Sequence, residues 1–274
     1  MYPGVIFSTP TVPSIMGADG VGLVVSPASP FHDKTVLIAP FVNWKSSPEG
    51  PDGSPKEPFG ILGSVKQTGG RGTFAEYIVV EEENLVACPA HFLNRGVEGY
   101  AEAAAVPLGS LTAYRAVFTK ANVQAGNNVL ITGIGGGVAL TALQYCIALG
   151  AKVWVSSSSE DKIARAVKLG AKGGVNYRDG EPFASSISHP ADASATANWP
   201  KALAALMPAS RPYLDAVIDS GGGPIMNSVT RVLKHGGIVS CYGSTSGVDV
   251  QVGMGAILKN LEFRGMSSLS HFCI

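Results

Sequence analysis

Apolar residues in the first part of the chain occur in short runs separated by turn-forming residues. The runs GLVVS (22–26), KTVLIAP (34–40) and FAEYIVV (74–80) are bounded by Gly, Pro and Ser. Such runs predict short strands joined by turns. The segment 43–60 between them is rich in Pro, Gly and Ser, which predicts a long surface loop.

The pattern changes near Glu98. VEGYAEAAAV (97–106) and GSLTAYRAVF (109–118) are typical of helices, and Pro107 marks the break between them. Near-continuous apolar runs then alternate with helix-like segments, which predicts a parallel sheet covered on both faces. The segment 181–200, rich in Ser, Ala and Pro, fits neither pattern and predicts a surface insertion. The predicted strands are Val129–Thr132, Val153–Ser156, Gly174–Asn176, Asp215–Asp219, Ile238–Tyr242 and Leu261–Gly265.

Composition and charge narrow the possible functions. Hydrophobic residues make up 46% of the 274 residues and charged residues 15%, which indicates a globular chain large enough for two domains. Lys and Arg balance Asp and Glu, so no global field favours nucleic acid or an anionic membrane. The sequence contains no apolar run of about 18 residues, so no membrane span is predicted. The start MYPGVIFSTP does not resemble a signal peptide, so a cytoplasmic location is expected.

Cysteine and histidine spacing offers no obvious metal or redox motif. Cys88, Cys146, Cys241 and Cys273 lie far apart and include no C-x-x-C pair, so we expect reduced thiols that are buried in the fold. The histidines show no H-E-x-x-H spacing. These patterns predict neither a metal knuckle nor a dithiol centre.

A glycine-rich turn follows the first strand of the predicted parallel sheet and precedes a helix. A dinucleotide fold needs a tight bend, a bare backbone beside the pyrophosphate, and a small residue where helix packs on strand. Gly133 would end the strand, and Gly136 and Gly137 would face the phosphates. Ala139 would allow the close helix contact, whereas Gly135 is expected to be the most expendable glycine. A Rossmann-like domain for another phosphate ligand is an alternative.

The next strand lacks the acidic residue that usually binds the adenosine ribose of NAD. Its tip carries serines at 156–158, with Lys162 close behind. Hydroxyl groups and an ammonium suit a 2′-phosphate, which a carboxylate would repel, so the sequence predicts NADPH as the cofactor. Alternatively, Ser159 caps the following helix and the other serines only form a turn. Glu160 and Asp161 suit the first turn of that helix without any cofactor role.

Several segments together resemble the medium-chain dehydrogenase/reductase superfamily, especially its zinc-type alcohol dehydrogenase-like and quinone oxidoreductase branches. The resemblance implies an α/β protein, in which a partial GroES-like β-barrel domain (1–105) precedes a Rossmann doubly wound parallel sheet (106–274). It begins inside the barrel and stops before the family's last helices and strands. The segments, besides the glycine turn, are GADGVGLV (17–24), KTVLIAP (34–40), GTFAEYIVV (72–80), AAAVPLGSLTAYRAV (103–117), LGAKGGVNYR (169–178), VIDSGGG (217–223) and GGIVSCYGSTSG (236–247).

The resemblance also implies three groups of cofactor-binding residues. For Tyr177, packing of its ring on the sheet is as open an interpretation as a contact with the cofactor. The cofactor contacts of Ser220 and Tyr242 are open in the same way. The implied contacts are Thr112, Ser220, Tyr242 and Gly243 for the nicotinamide, Gly133, Gly136, Gly137 and Val138 for the pyrophosphate, and Ser158, Lys162 and Tyr177 for the 2′-phosphate.

The departures from the family concern zinc. Where zinc enzymes of this family carry Gly-His-Glu, this chain has Gly17-Ala18-Asp19, and Leu108 stands where a zinc-binding Cys is found. The cysteine-rich lobe is replaced by the loop 43–60, which has none. Because zinc needs three or four N, S or O ligands, no zinc is expected. Asp19 is expected to be a hydrogen-bonding residue in a turn or between domains.

Without a Lewis acid, hydride transfer to an already activated acceptor is the easiest chemistry. The sequence therefore predicts a zinc-independent, NADPH-dependent reductase of a quinone or α,β-unsaturated carbonyl, with no assigned catalytic residue. The alternative is a truncated nucleotide-binding protein without turnover, serving as a sensor or interaction partner. The only expected ligands are the cofactor and a small-molecule substrate, and LEFRGM (261–266) is the expected edge of a possible homodimer.

Overall fold

The chain divides into two compact units. The structure, a computed structural model, describes residues 14–44, 59–63, 69–178, 199–247 and 252–266. One unit comprises Met1–Leu111 with Ser268–Ile274, and the other comprises Thr112–Ser267. Most of the predicted loop 43–60, most of the predicted insertion 181–200, and Cys273 lie outside the described residues.

The first unit contains short antiparallel strands. β1, β2 and β5 form one sheet in the order β1-β2-β5, and β3 pairs with β4. Leu37 of β2, Cys88 and Ala103 are buried together, with Phe92 and Leu93 packed against them. This is a partial barrel-like domain, as the resemblance implies. The elements are β1 (Val21–Leu23), β2 (Thr35–Ile38), β3 (Phe41–Val42), β4 (Gly60–Ile61), β5 (Leu85–Ala87), α1 (Ala90–Leu93) and α2 (Gly96–Ala104).

The strand predicted over FAEYIVV (74–80) is wrong, because the structure has no strand there. Phe74, Tyr77 and Val79 are 79, 76 and 77% exposed. An apolar segment becomes a strand only when a neighbouring strand completes its ladder. Within the described residues no strand pairs with this segment, so its apolar composition alone was misleading.

The second unit is built on six parallel strands. Their order is β8-β7-β6-β9-β10-β11, which is the doubly wound order of a dinucleotide-binding fold. All six predicted strands are confirmed within a few residues. They are β6 (Asn128–Ile131), β7 (Lys152–Ser157), β8 (Gly173–Asn176), β9 (Leu214–Asp219), β10 (Leu233–Cys241) and β11 (Glu262–Gly265).

Helices connect these strands. The break predicted at Pro107 is confirmed, because α3 begins there and continues into a π-helical segment, Arg115–Lys120. The predicted insertion 181–200 ends too late in the sequence, because its last two residues, Trp199 and Pro200, are buried in α6. No helix in the described ranges is long and apolar enough to cross a bilayer. The helices are α3 (Pro107–Tyr114), α4 (Gly137–Ala148), α5 (Glu160–Lys168), α6 (Trp199–Leu206), α7 (Ile225–Val232) and α8 (Met254–Leu258).

Successive residues of the central strands point to opposite faces of the sheet, and both faces are buried. In β6, Val129 and Ile131 belong to one apolar cluster, whereas Leu130 belongs to the other. The same alternation places Val153 of β7 on one side and Trp154 on the other. Burial on both faces explains why these strands read as continuous apolar runs.

An ion-pair network around one buried carboxylate, with partly exposed cationic partners, closes the amino-terminal end of the sheet. The Asp215 carboxylate, at the start of β9, accepts hydrogen bonds from Arg211 Nη2 at 2.7 and 2.8 Å and from the backbone amide of Asn128 at 2.7 Å. Lys234 Nζ lies 2.8 Å from the same carboxylate. This network ties the beginnings of β6, β9 and β10 together, at the end of the sheet opposite the glycine turn.

Candidate cofactor-binding site

The glycine turn joins the carboxyl end of β6 to α4, as predicted. Gly133 has φ +64°, and a Cβ on it would lie 2.5 Å from Ser220 Oγ. Gly135 has φ +117°, a backbone conformation that L side chains rarely adopt. Gly135 is therefore not the most expendable glycine, and that prediction is wrong: the fold itself requires a glycine there.

Gly136 and Gly137 differ from the first two glycines because the fold does not require them. Gly136 has φ −81° and ψ 154°, and a Cβ on it would meet only the Gly133 carbonyl oxygen, 4.0 Å away. A Cβ on Gly137 would meet nothing within 4 Å. Within the described residues no side chain caps α4, so its first amide groups have no side-chain acceptor there. Open space beside uncapped amides at a helix start is the environment that a pyrophosphate needs.

Ala139, in the first turn of α4, is buried among the apolar residues of the sheet face. Its small side chain allows α4 to pack closely on β6, as expected for this position. Val138 lies between this packed residue and the open glycines, at the start of the helix, and it is partly buried against the same core. The predicted pyrophosphate-binding residues thus all lie in the turn and the first turn of α4.

The tip of β7 carries hydroxyl groups and no carboxylate. Ser157 Oγ accepts a hydrogen bond from the Ser159 amide at 3.2 Å, and Ser158 is half-buried between them. Ser159 occupies the N-cap position of α5, but its side chain makes no capping bond. The capping role considered for Ser159 is therefore not seen, and Glu160 and Asp161 lie in the exposed first turn of α5.

Hydrogen bonds and a packing contact bring the predicted 2′-phosphate residues to one edge of the sheet. The Ile134 amide donates to the Ser156 carbonyl at 3.0 Å, which joins the glycine turn to β7. The Tyr177 amide donates to the Ser157 carbonyl at 3.1 Å. Lys162 packs its aliphatic stem over Gly135. The Tyr177 ring also packs partly against the second apolar cluster, so the structural interpretation of this residue stays open beside the cofactor role.

A buried carboxylate organises the neighbouring strand ends, and no role was predicted for it, although the segment VIDSGGG (217–223) contains it. Asp219, at the end of β9, is fully buried. Its Oδ1 accepts a hydrogen bond from Thr132 Oγ1 at 2.6 Å, and its Oδ2 accepts one from the Gly222 amide at 2.7 Å. Thr132 Oγ1 in turn accepts from the Ser220 amide at 3.0 Å. The sequence did offer one signal, an Asp at the end of an apolar strand. Because a buried carboxylate has to be hydrogen-bonded, such a residue indicates a hydrogen-bond network at the strand end.

Ser220, Tyr242 and Gly243 lie together beside this carboxylate. The Tyr242 amide donates to the Asp219 carbonyl at 2.9 Å. A Cβ on Gly243 would lie 2.5 Å from the Ser220 carbonyl oxygen, so only glycine permits this backbone approach. The three residues implied for the nicotinamide region are therefore brought together at the carboxyl ends of β9 and β10. Their contact with a cofactor stays a prediction.

Tyr242 and the thiol before it are both held in their neutral forms. Burial raises the pKa of Tyr242 to about 12; a hydrogen bond with Ser220 opposes the increase, and Asp219 adds to it. Burial also raises the pKa of Cys241 to about 11. Cys241 Sγ lies 3.1 Å from the Gly243 carbonyl oxygen and 3.5 Å from Asp219 Oδ2. Near neutral pH, Tyr242 can thus donate a hydrogen bond but does not act as a base.

The other described cysteines are free thiols and lie in the interior, as expected. Cys88 and Cys146 are buried, and burial raises the pKa of Cys146 to about 12. A thiol with so high a pKa is a poor nucleophile and a poor metal ligand.

Thr112 supplies an unsatisfied polar group. It is 5% exposed on α3, and its Oγ1 has no hydrogen-bond partner among the described residues. A buried hydroxyl without a partner costs stability, so such a group suggests that a ligand or water completes it. Together with the open backbone at Gly136 and Gly137, it fits a bound dinucleotide.

The positions implied for zinc carry no ligating atoms. Ala18 and Leu108 have hydrocarbon side chains, and Asp19 Oδ1 instead accepts a hydrogen bond from the Leu108 amide at 2.7 Å. No three His, Cys, Asp or Glu side chains within the described ranges are grouped so that they could hold a metal ion. The donor set therefore does not fit the tetrahedral site of a zinc enzyme.

The Asp19 carboxylate caps the first turn of α3 although it lies far from that helix in the sequence. Its removal should destabilise the first unit. Asp19→Ala leaves the Leu108 amide without its acceptor, which should lower the free energy of unfolding by about 1–2 kcal/mol. Asp19→Asn keeps an acceptor oxygen and is the matched control. Urea unfolding followed by circular dichroism measures both, and equal losses in the two variants would refute the capping role.

The ionisation of Asp19 gives this prediction a pH dependence. Burial raises the pKa of the Asp19 carboxyl above 3.8, although the Leu108 hydrogen bond partly lowers it. As pH falls, the Asp19 carboxyl of the native protein therefore binds a proton at a higher pH than it does in the unfolded chain. The stability of the wild-type protein relative to Asp19→Asn should increase as pH falls through the raised pKa, and the gain is complete below about 3.8.

Comparison with known proteins identifies the family. A family model described as zinc-binding dehydrogenase matches residues 137–271. The zinc-type alcohol dehydrogenase-like protein YogA of Leptosphaeria maculans is 40% identical over 97% of this chain and 68% of its own length. A quinone oxidoreductase of Pongo abelii is 25% identical over 65% of this chain and 47% of its own length.

A solved structure agrees with these sequence relatives. The crystal structure of an NAD-dependent alcohol dehydrogenase is 30% identical, with a TM-score of 0.75 over 94% of this chain and 70% of that protein. The matching fold includes the doubly wound sheet whose carboxyl edge carries the glycine turn. By sequence and by fold, the chain belongs to the medium-chain dehydrogenase/reductase superfamily of oxidoreductases.

Proposed function

We propose that this chain is a zinc-independent, NADPH-dependent reductase that transfers hydride to a quinone or an α,β-unsaturated carbonyl. The observation that carries the proposal is the open glycine turn beside a β7 tip with hydroxyl groups and no carboxylate. The relatives named quinone oxidoreductase support this acceptor class. The similar solved structure is that of an NAD-dependent enzyme and favours NAD(H) instead, so the cofactor choice needs a direct test.

The proposed site divides its tasks among the strand ends. The amides of Gly136, Gly137 and Val138 would bind the pyrophosphate at the start of α4. Ser158 and Lys162 would bind the 2′-phosphate, with Tyr177 beside them. Bound NADPH would supply the hydride.

Thr112 and the Ser220–Tyr242 pair would orient the nicotinamide end. The Thr112 hydroxyl would gain the partner that it lacks among the described residues, and Tyr242 keeps its phenolic proton. None of these residues is assigned a catalytic role. Positioning and exclusion of water are the contributions that these side chains can make to hydride transfer.

The side chains at the two positions implied for zinc support zinc independence. Ala18 and Leu108 cannot bind a metal, so an alcohol or unactivated carbonyl would lack a Lewis acid in this site. Quinones and enones accept hydride without such activation. Metal analysis of the purified protein should find no stoichiometric zinc, and treatment with a chelator should leave reductase activity unchanged.

NADPH should bind at least about tenfold more tightly than NADH, because the 2′-phosphate gains a charge-assisted contact with Lys162. Titration of protein fluorescence with each reduced cofactor measures the two dissociation constants. Tighter binding of NADH would refute the cofactor assignment, while leaving the superfamily membership untouched.

An acceptor screen separates the proposal from its alternative, a nucleotide-binding protein without turnover. The chain spans 68% of the length of the fungal relative. The reductase should oxidise NADPH when quinones or enones are added, which absorbance at the reduced-nicotinamide band follows. NADPH binding without reduction of any acceptor would favour the binding-only protein.

The predicted homodimer and the predicted cytoplasmic location stay predictions. Within the described residues β11 pairs only with β10, so its other edge is available for pairing. Light scattering after size exclusion would measure the mass in solution. A monomeric mass would rule out a stable dimer through β11.

A further inference from the structure

The carboxyl ends of β6 and β9 meet at the point where the strand order of the sheet reverses. From β6 the chain passes into α4, which packs on one face of the sheet through Leu143. From β9 it passes through the turn 220–224 into α7, which packs on the other face through Val229. In open α/β sheets the ligand binds in the crevice that such a reversal creates. The glycine turn and the turn 220–224 therefore form the two sides of one crevice.

Side chains connect these two turns beneath the crevice. The backbone ladder between β6 and β9 ends with Thr132, the residue before the glycine turn, whose amide donates to the Ile218 carbonyl at 3.0 Å. Beyond that bond, the Thr132 hydroxyl donates to Asp219 Oδ1 at 2.6 Å and accepts from the Ser220 amide at 3.0 Å. Asp219 Oδ2 accepts from the Gly222 amide at 2.7 Å. One carboxylate thus holds both sides of the crevice.

Burial and chemistry make this connection rigid. Asp219 is 0% exposed, so water does not compete for its oxygen atoms. A carboxylate can only accept hydrogen bonds, which fixes the direction of the chain from the Ser220 amide through the Thr132 hydroxyl to Asp219. The distance between the two turns is therefore set by side chains that have no alternative partner arrangement.

The turn 220–224 in its place holds the end of β10. The Tyr242 amide donates to the Asp219 carbonyl at 2.9 Å, and the Ser246 amide donates to the Gly221 carbonyl at 2.8 Å. These strand ends include the residues to which the nicotinamide is assigned under the proposed function. The position of the nicotinamide side relative to the glycine turn consequently depends on Asp219.

We propose that Asp219 is a positioning residue for the dinucleotide, which acts through Thr132 and the Gly222 amide to set the spacing between the pyrophosphate side and the nicotinamide side of the crevice. Asp219 is buried and does not contact the cofactor itself. A ligand that spans both turns depends on this spacing, whereas a ligand that occupies only the adenosine side does not. The inference rests on the proposed placement of the cofactor, but not on the choice between NADPH and NADH or on the acceptor.

The test compares Asp219→Asn, Thr132→Val and the double variant. Asp219→Asn keeps the shape of the side chain but replaces one acceptor oxygen with a donor, and Thr132→Val removes the hydroxyl. Thr132→Ser retains the hydroxyl and is the conservative variant. Asp215→Asn is the matched control, because it changes the other buried aspartate of β9, at the end of the strand away from the glycine turn.

Calorimetry measures the dissociation constants of NADPH, which spans both turns, and of adenosine 2′,5′-bisphosphate, which carries only the adenosine side. If the wild type prefers NADH, then NADH and adenosine 5′-monophosphate form the pair. Partial unfolding of a variant lowers both apparent affinities by the same factor. The ratio of the two affinities therefore separates positioning from a general loss of stability.

Asp219→Asn and Thr132→Val should each lower the affinity ratio at least about tenfold, because each breaks the same buried connection. For the same reason the double variant should lower the ratio little further. Thr132→Ser and Asp215→Asn should leave the ratio within about twofold of the wild type. If Asp219→Asn does not fold, Thr132→Val with its serine control decides the question alone.

Two results would overturn the inference while leaving the proposed cofactor site intact. One is an unchanged ratio in Thr132→Val or Asp219→Asn, and the other is an equal decrease in Asp215→Asn. Failure of the proposed site itself gives a different result, since the wild type would then bind neither dinucleotide, and the inference would fail with it.

Discussion

Gly136→Val should reduce the affinity for NADPH at least about 100-fold, equivalent to about 3 kcal/mol of lost binding free energy. The valine side chain would fill the space beside the uncapped amides of α4, where the pyrophosphate is proposed to bind. Fluorescence titration with NADPH measures the loss. An unchanged dissociation constant would remove the pyrophosphate assignment.

The same substitution should leave the fold nearly intact, which is what makes it informative. Gly136 has an extended backbone that any L residue adopts, and its Cβ direction is open. The free energy of unfolding should fall by no more than about 1 kcal/mol, because Gly136 is the N-cap of α4 and valine caps a helix less well than glycine. Gly133→Ala is the contrasting variant, because its positive φ and the nearby Ser220 hydroxyl should make it lose stability as well as binding. Equal destabilisation by the two variants would contradict the distinction between Gly133, which the fold requires, and Gly136, which leaves room for the ligand.

Asp215→Ala should lower the free energy of unfolding of the second unit by about 1–3 kcal/mol. It removes the shared acceptor of Arg211, Lys234 and the Asn128 backbone amide, and the buried backbone amide is left without an acceptor. Guanidinium unfolding followed by tryptophan fluorescence measures the loss, since Trp154 and Trp199 are buried in this unit. Cofactor contacts should be unaffected directly, because Asp215 lies at the opposite end of the sheet from the glycine turn.

A surface ion pair provides the control for this prediction. Glu262→Gln breaks an exposed pair with Arg264, and such pairs contribute about 0–1 kcal/mol. If Asp215→Ala costs no more than Glu262→Gln, the Asp215 network does not stabilise the sheet.

The Asp215 network should also make stability depend on acid. Burial alone would raise the pKa of this carboxyl, but hydrogen bonds from Lys234, the Asn128 amide and Arg211 lower it below 3.8. A lowered pKa means that the stabilisation is fully present above about pH 4 and decreases as pH falls through the native pKa. The difference in stability between wild type and Asp215→Asn should therefore be constant near neutrality and shrink in strong acid.

The doubly wound sheet could be predicted from the sequence because its central strands are buried on both faces. Val129, Leu130 and Ile131 all read as apolar, whichever face each one occupies, so the strand positions were recognisable without knowing the packing. The FAEYIVV segment shows the opposite case. Its aromatic and β-branched residues are typical of a strand, but strand formation depends on a partner that the local sequence does not specify.

Part of the candidate site could also be predicted, and the limits have a physical cause. The glycine spacing located the turn, but spacing does not distinguish glycines that the backbone requires from those that leave room for a ligand. The φ angles of Gly133 and Gly135 make that distinction. The role of Asp219 was missed because two of its partners, Thr132 and Cys241, lie far from it along the chain, and no local motif connects them with it.

The pairing of β6 with β9 has a consequence for how the chain acquires its structure. Thr132 and Asp219, which join the ends of these strands, are separated by 87 positions along the chain. Closing so long a loop is entropically slow, so this half of the molecule should nucleate on β6 and β7 and wait for β9. On a translating ribosome the open flank of β6 would stay exposed until about residue 219 has emerged, and that interval is when the nascent protein is most prone to aggregate.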